Sequence, residues 1–388
     1  MIATILVPPV MEIGGGAIGR IGAVLSRLGV TRPLVVTDPF MRDSGHAERL
    51  LAPLRAAGFT ADMFAETVPD PTTDVIAAGV ERLLAGGYDG LVALGGGSPI
   101  DTAKAMAVLA ANGGRMRDYK VPNPIARTGV PVIAIPTTAG TGSEVTRFTV
   151  ITDTETDEKM LIAGPMLVPA AAIIDYELTL TCPPRLTADT GIDALTHAIE
   201  AYVSVKASPY TDAMAIAAIR QIAPHIRRAC ADPGDRTARE AMMLGATLAG
   251  MAFSNASVAL VHGMSRPIGA FFHVPHGLSN AMLLPAVTAW SLPGAPGRYA
   301  DCARAMGVAG PEQDDAAAGL ALVMALRQLN ADLSVPSPRH YGIDPARWDG
   351  LLETMAAQAL ASGSPGNNPL VPDVAAMVAL YRQAWNGD

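Results

Sequence analysis

Three histidines of this 388-residue chain, together with one aspartate, could bind a metal ion. Asp193 and His197 stand four residues apart in a predicted helix, so their side chains project from one face. His262 and His276 lie further along the chain, and each is followed directly by a glycine. Three imidazoles and one carboxylate suit a divalent first-row metal and leave coordination positions for a substrate oxygen. A structural hydrogen bond explains any single one of these histidines more simply, but the four residues together favour a metal site.

Two turns rich in glycine and hydroxyl groups each follow a predicted buried strand. In the first, Gly95, Gly96, Gly97 and Ser98 would let the backbone approach a diphosphate, while the helix that follows supplies amide donors. The second turn, 136–146, holds four threonines and a serine beside two glycines. Each could be an ordinary capped turn. Two such turns at successive strand ends favour one shared ligand.

Asp38 stands at the end of a third predicted strand. A carboxylate there can accept hydrogen bonds from both ribose hydroxyls of an adenosine and would repel a 2′-phosphate, which favours NAD over NADP. Taken alone, Asp38 is explained more simply as a turn aspartate before Pro39.

The elements that would position these residues fall into two regions. In the first, apolar β-branched runs alternate with helical stretches, which predicts a mainly parallel sheet with helices on both faces. Ligands of such sheets bind beyond the carboxyl ends of the strands. The predicted strands are 33–37, 90–94 and 130–135, and the predicted helices are 45–58 and 72–86.

After about residue 182 the sequence becomes rich in alanine with a period of 3.6 residues, which predicts helices. We expect the first of them to be capped near Asp189 or Thr190. The boundary is predicted at 180–184, where two prolines interrupt regular structure. This gives an α/β dinucleotide-binding domain over 1–182 and an all-α metal-binding, catalytic domain over 183–388. The predicted helices are 189–204, 210–228, 236–251 and 315–329.

Composition narrows the classes of partner. A formal charge of −8 without a Lys/Arg cluster argues against nucleic acid. No apolar run reaches the roughly 18 residues that a membrane span needs. Three cysteines far apart and a start without signal-peptide features favour the reducing cytoplasm. We therefore expect a small-molecule partner.

Along nearly its whole length the chain resembles the iron-containing (group III) alcohol dehydrogenase family. The matching motifs are Gly95–Asp101 (GGGSPID), Pro136–Thr146 (PTTAGTGSEVT), Gly191–Glu200 (GIDALTHAIE) and the segment from His262 to His276. The resemblance implies a metal, iron or alternatively zinc, held by Asp193, His197, His262 and His276. It also implies a homodimer or larger homo-oligomer. The residues that it assigns to NAD are Asp38, Asp70, Gly95, Gly96, Gly97, Ser98, Asp101, Thr137, Thr138, Thr141 and Lys159.

One position departs from the family pattern. Many relatives carry a further histidine, linked to proton relay, four residues after the third ligand, where this chain has Arg266. His273 could take over as a catalytic proton relay, because imidazole transfers protons near neutral pH. Arg266 would mark an acidic substrate or form a structural ion pair, of which we favour the ion pair. Phe148 and Phe253 are candidates for the wall of the substrate pocket, although lone aromatics are more often core.

The reaction that these expectations predict is reversible hydride transfer between a small alcohol or diol and NAD. A reductase of an acidic carbonyl compound, of the maleylacetate or succinic semialdehyde type, is the alternative that Arg147 and Arg266 keep open. A dehydroquinate synthase-like lyase is a third reading. That chemistry needs several basic groups for a phosphate-bearing substrate, and the helical region is sparse in lysine.

Overall fold

The structure of the protein is a computed structural model that describes residues 2–387. The chain forms two compact units, one of Thr4–Thr181 and one that takes up the chain from Cys182 onwards. Residues 1 and 388, the outer ends of the two predicted domains, lie outside the described residues.

The first unit contains a six-stranded sheet and a separate two-stranded sheet. Its strands are β1 (Met11–Ile13), β2 (Pro33–Val36), β3 (Asp62–Phe64), β4 (Gly90–Gly95), β5 (Val132–Pro136), β6 (Phe148–Asp153), β7 (Glu158–Ala163) and β8 (Ala171–Ile174). Its helices are α1 (Ile21–Leu28), α2 (Pro39–Asp43), α3 (Glu48–Ala56), α4 (Thr73–Gly86) and α5 (Gly97–Asn112).

All neighbouring strands of the larger sheet run parallel, in the order β1-β8-β5-β4-β2-β3. Alternate residues of its central strands pack into opposite cores, as expected when helices cover both faces. Leu34 and Leu91 lie in the core that contains the buried residues of α4 and α5. Val35 and Val92 lie in the core formed with α1 and α3. The predicted parallel sheet is confirmed, and its three predicted strands are β2, β4 and β5.

The antiparallel pair of β6 and β7 was not predicted from the sequence. Residues of β6 nevertheless alternate between more and less buried positions. This period of two is the usual signal of a strand with one covered face.

The second unit is helical. Its helices are α6 (Pro184–Val203), α7 (Pro209–Ala231), α8 (Arg236–Ala256), α9 (Leu260–Phe272), α10 (His276–Ser291), α11 (Pro296–Ala305), α12 (Asp315–Asp332), α13 (Pro338–Tyr341), α14 (Pro345–Ala361) and α15 (Val374–Asn386).

The four helices predicted in this region correspond to α6, α7, α8 and α12, and each is longer than predicted. The expected cap of α6 at Asp189 or Thr190 is wrong, because the helix begins at Pro184. Proline suits a first helical position, since the N–H that it lacks would have no partner within the helix there. The predicted fold class, a parallel α/β region followed by an all-α region, is confirmed.

Within residues 2–387, no single helix combines the length and apolar composition needed to cross a membrane. Only α8 and α9 taken together pass that test, and they are bent by 102°.

Candidate metal centre and cofactor site

The helix α6 carries two of the four predicted metal ligands into the interior of the helical unit. Nearly all of its residues from Thr187 to Val203 are buried. Asp193 and His197 are only 2% and 4% exposed. The Oδ1 atom of Asp193 lies 3.9 Å from Nε2 of His197, as their spacing of one helical turn predicts.

The other two predicted ligands meet the same carboxylate from neighbouring helices. Oδ1 of Asp193 lies 3.5 Å from Nε2 of His262 on α9. It lies 3.8 Å from Nε2 of His276, the first residue of α10. The donor atoms of Asp193, His262 and His276 all lie within 4.8 Å of one another. The structure thus brings all four predicted ligands together, and the half-exposed side chain of His276 leaves one side of the group accessible.

A glycine explains how α10 can approach α6 so closely. A Cβ atom on Gly277 would lie 2.3 Å from the carbonyl oxygen of Asp189 and 3.3 Å from the Cβ of Asp193. Only a residue without a side chain fits against the α6 backbone at this point. Gly277 therefore lets the start of α10 bring His276 to Asp193.

Glu200 binds the ring nitrogen of His262 that does not face Asp193. Its carboxylate accepts a hydrogen bond of 2.6 Å from Nδ1 of His262. The same carboxylate accepts the backbone N–H groups of Ala259 (2.9 Å) and Val261 (2.5 Å), where α9 begins. A carboxylate can only accept, so Nδ1 carries the proton and Nε2 faces Asp193. This is the arrangement that tunes metal-binding imidazoles in proteins.

Asn280 completes the group from α10. This residue is fully buried, and its Nδ2 donates to Oδ1 of Asp193 at 2.7 Å. The same Nδ2 lies 3.1 Å from Nε2 of His262 and 3.3 Å from Nε2 of His276. Its Oδ1 has no hydrogen-bond partner among residues 2–387. A buried amide oxygen left unpaired beside converging donor atoms is expected of a site that takes up a further species.

Charges in the group also suit a cation. Burial by itself would raise the pKa of Asp193, but His197, His276 and His262 more than offset this, so its pKa is lowered and the carboxyl is ionised. Burial lowers the pKa of His262, yet the carboxylates of Glu200 and Asp193 outweigh it and raise this pKa to about 9. A buried anion among imidazole nitrogens matches the donor chemistry of a divalent iron or zinc site.

Glu200 and Asn280 are residues of this group that the motifs did not predict. The signal was present in the spacing. Glu200 lies three residues after His197 and seven after Asp193, on the same face of α6, and Asn280 lies one turn after His276.

In the first unit, three predicted cofactor segments follow the carboxyl ends of three adjacent strands of the sheet. Gly95 pairs with Pro136 at the ends of β4 and β5, and β2 pairs with β4 on the other side. The glycine turn, the threonine turn and Asp38 therefore lie side by side where parallel sheets bind ligands.

The glycine and threonine turns also touch. The N–H of Thr137 donates to the carbonyl of Gly95 at 2.9 Å. A Cβ atom on Gly96 would lie 3.4 Å from Oγ1 of Thr138, and one on Gly97 would lie 3.1 Å from Cγ2 of Thr141. The two turns are therefore in contact at the start of α5.

Three other predicted cofactor residues make contacts within this unit. The Oδ1 of Asp38 accepts the N–H of Met41 at 2.9 Å and caps α2. Lys159 on β7 forms an ion pair of 2.9 Å with Asp70, so two residues assigned to one ligand meet in space. The carboxylate of Asp101 bonds Oγ of Ser143 (2.5 Å) and the N–H of Val150 (2.9 Å), and thus binds protein groups.

The remaining candidates differ in their surroundings. His273 is exposed at the end of α9, in a left-handed conformation (φ 54°). Arg266, one turn after His262, makes no close ion pair among the described residues, although the charge of Glu200 opposes the lowering of its pKa by burial. The structural ion pair that we favoured is therefore not found as a direct contact. The ring of Phe253 stacks on His197 at 4.1 Å between centroids. Phe148 begins β6, with the guanidinium of Arg147 5.5 Å from its ring centre.

The chain is similar to known proteins along nearly its whole length. A family model described as iron-containing alcohol dehydrogenase matches residues 8–176, and one for the C-terminal part of the Fe-containing alcohol dehydrogenase family matches residues 187–385. The NAD-dependent methanol dehydrogenase of Bacillus methanolicus is 38% identical over 97% of this chain and 98% of its own. The lactaldehyde reductase of Escherichia coli K12 is 39% identical over 96% of this chain and 97% of its own.

Among solved structures, a 1,3-propanediol oxidoreductase superposes with a TM-score of 0.96 at 36% identity, covering 99% of this chain and 100% of the other. Matches of this identity over both halves of the chain establish the relationship. The protein belongs to the iron-containing alcohol dehydrogenase family.

Proposed function

We propose that the protein is a metal-dependent alcohol dehydrogenase that transfers a hydride between a small primary or secondary alcohol, or a diol, and NAD. The observation that carries this proposal is the group of three imidazole Nε2 atoms within 3.5 to 3.9 Å of Oδ1 of Asp193. Relatives named for methanol, lactaldehyde and 1,3-propanediol support the substrate class.

In the proposed site, Asp193, His197, His262 and His276 would hold iron or zinc. A divalent cation supplies Lewis acidity that lowers the pKa of an alcohol oxygen, and NAD supplies the hydride acceptor. Glu200 keeps the proton of His262 on Nδ1, so that Nε2 is available as a ligand. Asn280 holds the Asp193 carboxylate in place.

The glycine turn and the threonine turn would bind the diphosphate of NAD. Backbone N–H groups at the start of α5 and threonine hydroxyls would supply neutral donors, and the dipole of the helix favours an anion there. Asp38 would bind the adenosine ribose and exclude a 2′-phosphate. Asp70 and Lys159 would contact the cofactor, and His273 would relay the proton that leaves the alcohol.

The acidic-carbonyl and lyase alternatives are not favoured by the relatives. For the assembly and the compartment, we propose a homodimer or larger homo-oligomer in the cytoplasm. The three cysteines are free thiols, as a reducing compartment would maintain them.

The test is an anaerobic reconstitution of the purified protein with Fe²⁺ or Zn²⁺, followed by metal analysis and an NADH-absorbance screen over 1,2-propanediol, butanol and 4-hydroxybutyrate. His262→Ala should lose most of the metal and most of the activity. His340→Ala is the matched control, because His340 lies on α13 and bonds Ser337. A His262→Ala variant with unchanged rate and metal content would refute the assignment.

A further inference from the structure

Lys104 is a fully buried cation for which the proposed reaction has no direct use. It is 1% exposed and lies on α5, where its chain neighbours Ala103 and Ala105 belong to the hydrophobic core of the first unit. An ammonium group is rarely removed from water unless its three N–H donors find oxygen atoms inside the protein. Its contacts therefore indicate what it stabilises.

All oxygens bound by Lys104 belong to the end of the threonine turn and the start of β6. Its Nζ donates to the backbone carbonyls of Ser143 (2.6 Å), Thr146 (2.9 Å) and Phe148 (3.0 Å). Oγ1 of Thr146 lies at 3.1 Å and Oγ of Ser143 at 3.4 Å. Three close carbonyls match the three N–H groups of an ammonium.

The contact continues along one face of α5. Gly97, Asp101 and Lys104 are spaced four and three residues apart, so they share a helix face. Gly97 lies against Thr141, and Asp101 accepts the hydroxyl of Ser143. The threonine turn therefore contacts this face of α5 from Thr141, which lies against Gly97, to Thr146, which is bound by Lys104.

The cation keeps its charge at neutral pH in spite of burial. Burial lowers the pKa of Lys104 to about 8, while the carboxylates of Asp101 and Glu144 oppose the shift. The bonds from Nζ to the turn are thus charge-assisted, and such bonds are about twice as strong as neutral ones.

We propose that Lys104 is a positioning residue that fixes the threonine turn against the glycine turn, so that the two form one preorganised site for the NAD diphosphate. This inference rests on the proposed use of NAD. Lys104 itself touches neither cofactor nor substrate in this proposal. Without Lys104, the groups proposed to bind NAD would remain, but the threonine turn would no longer be held in one conformation. The free energy of NAD binding would then include the entropy cost of ordering the turn.

The test compares Lys104→Met, which keeps most of the side-chain volume but has no donor, with Lys120→Met. Lys120 also lies in the first unit, where it pairs with Glu158 at the surface. For each protein, the Kd of NAD is measured by calorimetry in the metal-free and metal-loaded forms, and KM and kcat are measured after loading. We expect Lys104→Met to weaken NAD binding about tenfold or more, because several bonds to a charged group are lost. The loss should fall on Kd and KM more than on kcat, and Lys120→Met should stay within about twofold of the wild type.

A second readout follows the turn itself. Arg147 lies one residue after the turn, so limited trypsin digestion at the Arg147–Phe148 bond, monitored by mass spectrometry, reports its opening. We expect faster cleavage in Lys104→Met and suppression of that cleavage by saturating NAD. If Lys104→Met does not fold, Ser143→Ala removes one contact of Nζ and the bond to Asp101 and should give smaller changes in the same direction.

Wild-type-like Kd and cleavage rate in Lys104→Met, or in Ser143→Ala when that variant is used instead, would overturn the inference. Failure of the wild type to bind NAD would overturn the proposed function instead. The two failures are therefore distinguishable.

Discussion

Replacing Glu200 with glutamine should weaken metal binding although Glu200 is not itself a proposed ligand. In the wild type its carboxylate accepts three hydrogen bonds, from Nδ1 of His262 and from the N–H groups of Ala259 and Val261. The amide of Glu200→Gln has one oxygen to accept with and two N–H groups that would face donors. At least one of the three donors is then left unpaired in a buried position.

The size of the effect can be worked out in two ways. A hydrogen bond to a charged group contributes about 1.5 to 3 kcal/mol. Loss of the residue that orients a metal-binding imidazole lowers metal affinity by about 10- to 100-fold, which corresponds to about 1.4 to 2.7 kcal/mol. The two ranges agree, so we expect the metal Kd to rise by about 10- to 100-fold.

The assay is competition between the protein and a chelator for Co²⁺ or Zn²⁺ at fixed pH, with thermal unfolding of the metal-free protein measured in parallel. The unfolding measurement shows whether the variant is still folded at the assay temperature, because the buried donor left unpaired near the start of α9 should itself lower the melting temperature of the metal-free protein. Glu240→Gln is the matched control, since Glu240 is an exposed glutamate of α8. A folded Glu200→Gln protein that binds metal within about twofold of the wild type would refute the reasoning.

Three further predictions follow from the same contacts. Because the pKa of His262 is raised to about 9 in the metal-free protein, its Nε2 also carries a proton at neutral pH, and metal binding must release that proton while Nδ1 keeps the one that it donates to Glu200. The apparent metal Kd, measured by chelator competition, should therefore fall up to about tenfold per pH unit from pH 7 to 9. The raised pKa of His262 stabilises the metal-free protein fully below the unfolded pKa of about 6.5, and this stabilisation is lost as pH rises through 9. The increase in melting temperature on adding metal should therefore become larger between these two pH values. An increase that does not depend on pH would contradict the assignment. Gly277→Ala, whose Cβ would lie 2.3 Å from a backbone oxygen of α6, should lower the melting temperature and metal content, whereas Gly310→Ala, with nothing within 4 Å, should leave the metal content unchanged. Asp38→Ala should reduce the preference for NAD over NADP, measured as the ratio of kcat/KM values, and an unchanged ratio would remove Asp38 from the ribose site.

Much of the fold could be predicted because its signals are local. The β-branched runs that became β2, β4 and β5 are buried on both faces, and such strands read as continuous apolar segments. The alanine-rich period of 3.6 residues gave α6, α7, α8 and α12. The start of α6 was predicted five residues too late, because a proline suits a first helical turn as well as a break in regular structure.

The donor types of the metal site and one of its distances follow from residue types and spacing alone. Asp193 and His197 had to be neighbours once α6 formed, since four residues make about one helical turn. Whether His262 and His276 would join them depends on contacts far apart in the chain, and the approach of α10 that Gly277 permits is one of these.

Residues that support the proposed chemistry without being recognisable donors in a motif become apparent only from contacts in three dimensions. Glu200 and Asn280 acquire their roles from groups 59 to 87 residues away along the chain. Lys104 acquires its role from oxygens of the threonine turn and the start of β6, 39 to 44 residues further on. A buried charge or amide is stabilised only by specific partners in three dimensions. Sequence spacing reports the faces of a single helix, but it does not report which other element those faces meet.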